Sequence, residues 1–137
     1  MLLCIDTSAW HRLRHPAVGP IWRDALDTDQ VGMCDQVRLE VLYSARSAYD
    51  YDGLAEELAA LIPIAMDGPC YARALQVQQA LAHVGGLHHR SVKIADLLIA
   101  ATAEAAGATV WHYDEDFDRI AAVTGQAVRW IVDRRSI

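Results

Sequence analysis

Short apolar runs that stop at an acidic residue constrain this chain more than any other feature. "LLCI" (Leu2–Ile5) ends at Asp6, "QVGMC" (Gln30–Cys34) at Asp35, "LIPIAM" (Leu61–Met66) at Asp67 and "ATVWHY" at Asp114. A further run, "QAVRWIV", lies near the C-terminus. Continuous apolar runs of this length suit strands covered on both faces. Longer segments with helix signals separate them. Asp6, Thr7 and Ser8 are capping residue types, Asp35 can cap a helix through "QVRLEVLYSAR", and Asp67-Gly68-Pro69 opens a helix to about His83. "VKIADLLIAATAEAAG" is an Ala- and Leu-rich helix closed by Gly107, and "DFDRIAAVTG" one ending at Gly125.

Strands separated by helices pair in parallel through crossovers, so the expected class is α/β, a central parallel β-sheet sandwiched by α-helices. A length of 137 residues with 53% hydrophobic content suits one domain, 1–137, with one core. No apolar run approaches the roughly 18 residues of a membrane span, and "MLLCIDTSAW" is interrupted too early for a secretory signal. Cys4, Cys34 and Cys70 form no CxxC pair and read as free buried thiols. A cytoplasmic protein with no membrane partner is expected.

In open parallel sheets the ligand site lies beyond the C-terminal strand ends. Asp6 and Asp114 both stand there, and they meet if their strands are neighbours. Two further acids interrupt apolar helices: Glu40 among Leu39, Val41 and Leu42, and Asp96 between Ile94-Ala95 and Leu97-Leu98-Ile99. An ionised carboxylate in such surroundings is costly unless it is paired or coordinates a cation. Each acid alone has an ordinary explanation. Asp6 can cap a helix, Glu40 can point outward beside Arg38, Asp96 can favour a helix N-terminus, and Asp114 to Asp118 can be a capping cluster. Together they share one explanation, a cleft of carboxylates suited to Mg²⁺ or Mn²⁺.

"LLCIDTSAW", "RLEVLYSA" and "VKIADLLIAATAEAAGATVWHYDEDFDRIA" resemble the PIN-domain ribonucleases, and within them the VapC-type toxins of bacterial toxin–antitoxin pairs. The resemblance runs from Leu2 to about Trp130 and implies a PIN-like fold. Its four acids match Asp6, Glu40, Asp96 and Asp114, with Thr7 or Ser8 as the hydroxyl beside the first. Asp116 is an additional or alternative metal ligand, while Glu115 and Asp118 fit a solvated helix surface. The resemblance implies a metal-dependent endoribonuclease using Mg²⁺ or Mn²⁺, acting by metal-assisted phosphodiester hydrolysis. It also implies a small VapB-type antitoxin as partner and assembly as a homodimer or as a hetero-oligomer with that antitoxin. The alternative is a catalytically silent module of the same fold that binds RNA or protein.

The net charge of −6 argues against bulk electrostatic binding of nucleic acid, although bound cations change the local sign. Candidate phosphate contacts are His11, Arg12, Arg14 and His15 after the first strand, and His88, His89, Arg90 and Lys93 before Asp96. Trp10 and Trp111 are either base-stacking platforms or core aromatics. His112 has no second His at zinc-ligand spacing. "GLAEELAALI" (Gly53 to Ile62) is a candidate part of the partner groove, with Leu58 and Leu61 as the positions at which a charge would distinguish that surface from ordinary core.

Overall fold

Five parallel strands form one sheet in the order β3-β2-β1-β4-β5, where β1 is Leu2–Ile5, β2 Gln30–Cys34, β3 Ile62–Ile64, β4 Thr109–His112 and β5 Val128–Trp130. The structure is a computed structural model and describes residues 1–137. Leu3, Cys4 and Ile5 are all fully buried. Successive strand residues face opposite sides, so β1 is covered on both faces, as its unbroken apolar sequence requires.

The intervening helices are α1 (Thr7–Trp10), α2 (Gly19–Thr28), α3 (Asp35–Tyr43), α4 (Ala48–Ala59), α5 (Gly68–Val84), α6 (Ile94–Ala105) and α7 (Asp116–Thr124), with a 3₁₀ turn at His88–Ser91 before α6. The Asp67 side chain accepts from the Cys70 N–H and starts α5. Gly125 takes φ of 72° and ends α7, a conformation that glycine adopts without steric penalty. α6 carries the deepest apolar face, burying Leu97, Ile99 and Ala100 to Ala103. Arg73 on α5 ties it down, its Nε donating to Glu104 Oε1 at 2.7 Å.

Three local expectations are corrected. Cys34, not Asp35, is the N-cap of α3; the chain turns helical one residue earlier, which leaves Asp35 exposed in the first turn. The third strand is Ile62–Ile64 rather than Leu61–Met66. Leu58 and Leu61 are 1% and 7% exposed and belong to the core, so they offer no partner surface. α4 ends at Ala59 and the chain turns at once into β3, which draws both leucines inward.

β1 pairs with β2 on one side and β4 on the other. The strand order therefore reverses between β1 and β4, the crevice where open α/β sheets place ligands.

Candidate metal centre

Ile5 is in register with Trp111, so Asp6 leaves β1 beside the end of β4. Its backbone N–H continues the ladder to the Trp111 carbonyl at 3.1 Å. The side chain caps α1 by accepting from the Ala9 N–H at 3.0 Å, so the capping reading of Asp6 is correct as far as it goes. The Ser8 hydroxyl lies 2.8 Å from both Asp6 oxygens, and its Oγ also accepts the Tyr113 N–H at 2.9 Å. Burial pushes the Asp6 carboxyl up to about 6; the Ala9 and Ser8 hydrogen bonds oppose that shift and the Asp114 charge adds to it.

Asp114 and Asp116 follow β4. The Asp116 N–H donates to Asp114 Oδ1 at 2.9 Å, which turns the two carboxylates toward α6. His112 is fully buried, and its Nδ1 accepts the Asp114 N–H at 3.1 Å. Burial lowers His112 to about 4, so the ring is neutral at physiological pH.

Asp96, in the first turn of α6, completes the group. Asp96, Asp114 and Asp116 each offer a ligand oxygen, and these atoms all lie within 4.8 Å of one another. Asp96 is pushed up to about 8, first by burial and then by the adjoining Asp116 carboxylate, with Lys93 opposing. Burial acts on Asp116 too, but hydrogen bonds from the Asp96 carboxyl and the Lys93 N–H hold it below the usual carboxylate range. Asp96 Oδ2 is buried and accepts no hydrogen bond. Oxygen-only donors at this spacing, one of them buried with no hydrogen bond and only the Lys93 ammonium at 3.6 Å, fit a hard divalent cation.

Glu40 stands outside this triad, on α3. It is half-buried, and its Oε1 is enclosed without a hydrogen-bond partner. Thr7 Oγ1 is similarly enclosed, and the two residues line an open cleft of about 400 Å³ with His11, Leu39 and Tyr43. The cleft therefore begins at the residue following Asp6. Glu115 and Asp118 have structural partners: Glu115 pairs with Arg119 and Arg134, and Asp118 accepts the Trp130 Nε1–H at 3.1 Å.

The basic candidates divide. His11, Arg14, His15 and Arg90 are exposed, and His88 and His89 half-buried. Arg12 is engaged by the protein, donating to the Ser8 carbonyl at 2.7 Å and lying 4.3 Å over the Tyr113 ring. Lys93 reaches into the triad, with Nζ 2.7 Å from Asp114 Oδ2. Trp111 is core and stacks on Trp22, which Trp10 meets edge-on at 6.0 Å. The inward turn of Lys93 and the support from His112 lie outside what the sequence alone shows. Only the placement of Lys93 three residues before Asp96 could have signalled the first.

The PIN domain family matches residues 3–123. The chain belongs to the PIN-domain family. Within it this PIN domain is 59% identical to Ribonuclease VapC18 of Mycobacterium tuberculosis, over 100% of both chains. It is 41% identical to Ribonuclease VapC51 of the same organism, over 97% of this chain and 95% of that one. Among solved structures, VapBC-1 from nontypeable Haemophilus influenzae superposes with a TM-score of 0.79 at 17% identity, covering 97% of this chain and 100% of that one. VapBC2 from Rickettsia felis, bound to a DNA fragment from its promoter, gives 0.76 at 19% identity, covering 95% and 98%. At such identities these structures establish the shared fold. No helix of the PIN domain is long and apolar enough to cross a membrane.

Proposed function

We propose that this PIN domain is a Mg²⁺- or Mn²⁺-dependent endoribonuclease and the toxin of a type II toxin–antitoxin pair. The observation that carries the reading is the convergence of Asp96, Asp114 and Asp116 at the strand-end crevice, beside Asp6, in a chain alignable end to end with a named ribonuclease. Asp96, Asp114 and Asp116 are assigned to hold the ion, with Asp6 beside them and Glu40, on the adjoining cleft, as the further acid. A divalent cation held there lowers the pKa of a water in its shell and offsets charge on the scissile phosphate.

The remaining roles belong to the chain itself. Ser8 orients Asp6 and links it to the Tyr113 backbone. Arg119 fixes the outer oxygen of Asp116, Nη1 to Oδ1, at 3.0 Å. The cleft lined by Thr7, His11 and Glu40 starts at the residue after Asp6 and is assigned to the RNA strand. His11, Arg14, His89 and Arg90 are assigned to RNA phosphates. A VapB-type antitoxin, assembly as a homodimer or hetero-oligomer, and a cytoplasmic location belong to the same proposal.

The test is cleavage of RNA by purified protein with Mg²⁺ or Mn²⁺, with and without EDTA, alongside Asp6→Asn and Asp96→Asn. Cleavage is expected only with the cation, and each substitution lowers it by about a hundredfold or more. Undiminished cleavage in either variant removes the carboxylate–metal mechanism. RNA binding without cleavage by the wild type favours the silent module.

A further inference from the structure

Lys93 is the only lysine in the chain. Its backbone N–H donates to Asp116 Oδ2 at 3.1 Å, which anchors the residue whatever its side chain does. The side chain folds back so that Nζ lies 2.7 Å from Asp114 Oδ2, 3.3 Å from Asp116 Oδ2 and 3.6 Å from Asp96 Oδ2. These are the three residues whose ligand oxygens cluster. A positive nitrogen within ion-pair range of all three supplies one positive charge among them and takes the space of a bridging cation.

The occupancy is also reversible by construction. The Lys93 side chain is 66% exposed and rides on a flexible four-carbon stem, so it can leave without moving the backbone. Arg119 is a useful contrast. It grips Asp116 from the other carboxylate oxygen, shares itself with Glu115, and pairs with neither Asp96 nor Asp114. Mg²⁺ sits about 2.0–2.1 Å from its oxygen ligands, which leaves no room for an ammonium among the same three carboxylates.

We propose that Lys93 is a displaceable internal occupant of the metal centre: its ammonium holds Asp96, Asp114 and Asp116 together in the metal-free protein, and a divalent cation binds by expelling it to the rim. The inference rests on the metal reading above. Its consequence is a reduced apparent metal affinity, scaled by the fraction of molecules in which Lys93 has withdrawn. Expulsion also puts the ammonium at the rim, where a phosphate contact was expected of it.

Two readouts test this without relying on activity. Isotope-labelled lysine gives a single side-chain signal in this chain, followed by NMR as Mg²⁺ is added. Calorimetric titrations with Mn²⁺ and Mg²⁺ compare the wild type with Lys93→Gln and Arg119→Gln, each first shown to be folded by circular dichroism. The expected results are a shift of the lysine signal to that of a free ammonium at saturation, and affinity about tenfold tighter in Lys93→Gln. The gain in Arg119→Gln is smaller. A lysine signal unmoved at saturation, or affinity in Lys93→Gln equal to or weaker than wild type, overturns the proposal. So does an equal gain in Arg119→Gln, which reports charge rather than occupancy. Absence of binding in both wild type and Lys93→Gln sinks the metal reading together with this one, whereas binding with an unmoved lysine sinks this one alone.

Discussion

Ser8 holds Asp6 from above, its hydroxyl 2.8 Å from both carboxylate oxygens. Because the same oxygen accepts the Tyr113 N–H, one hydroxyl joins the ends of β1 and β4. Removing it leaves a half-buried backbone donor unpaired and frees Asp6 to rotate. Ser8→Ala is therefore expected to cost about 1–2 kcal/mol of stability by urea denaturation. It should also lower RNA cleavage about tenfold, because Asp6 then keeps only the Ala9 N–H to orient it.

Gly32 in β2 has a different necessity. A Cβ there would lie 2.8 Å from the Ile62 carbonyl oxygen and 2.8 Å from Ile64 Cδ1, in the paired strand. The backbone oxygen cannot step aside as a flexible side chain could. Gly32→Ala should destabilise the protein by about 1–3 kcal/mol, seen as a lower denaturation midpoint. Gly53→Ala, with open space around the added methyl, provides the control and should not destabilise the fold.

The neutral, buried His112 makes stability depend on pH. Its folded pKa of about 4 lies below the ordinary 6.5, so between those values the unfolded chain takes up a proton that the folded chain refuses. Its contribution is complete above pH 6.5 and is lost as pH falls toward 4. Asp6 and Asp96 act in the opposite sense, because their folded pKa values are raised to about 6 and about 8. The His112 effect must therefore be read against His112→Asn. Between pH 7.5 and pH 5 the metal-free wild type should lose roughly 2 kcal/mol more than that variant. Parallel losses would mean that the histidine titrates normally.

Leu58 and Leu61 supply a prediction reversed by the fold. Both are buried, so Leu58→Arg and Leu61→Arg should unfold the protein rather than merely abolish partner binding. Circular dichroism decides this. Helical spectra with lost co-purification of an antitoxin would return these residues to a partner surface.

The contrast shows which information the sequence carried. Leu3, Cys4 and Ile5 form an unbroken apolar run, and that pattern has one economical reading, a strand covered on both sides. Asp6 and Asp114 were placed on one edge by the parallel-sheet rule, and the β1–β4 pairing brings those strand ends together. Glu40 and Asp96 stood out as acids in apolar surroundings. Leu58 and Leu61 were misread because "GLAEELAALI" has apolar residues on several helical faces, and only the turn into β3 decides which are covered. For Lys93 only the i,i+3 spacing to Asp96 is a local signal: a long cationic side chain has no periodic signature, and its direction also depends on acids 21 and 23 residues away.

The chemistry of the cut ends separates cation-assisted hydrolysis from cleavage by the RNA's own hydroxyl. Water attacking phosphorus at a cation-assisted site leaves a terminal phosphomonoester, whereas attack by the neighbouring 2′-hydroxyl leaves a 2′,3′-cyclic phosphate. Mass spectrometry of a defined RNA cleaved by the wild-type protein with Mg²⁺ distinguishes the two. A carboxylate-held cation gives phosphomonoester and hydroxyl ends, no cyclic phosphate, and no products from Asp96→Asn or in EDTA. Cyclic phosphate ends, or the same products in the presence of EDTA, would contradict that mechanism.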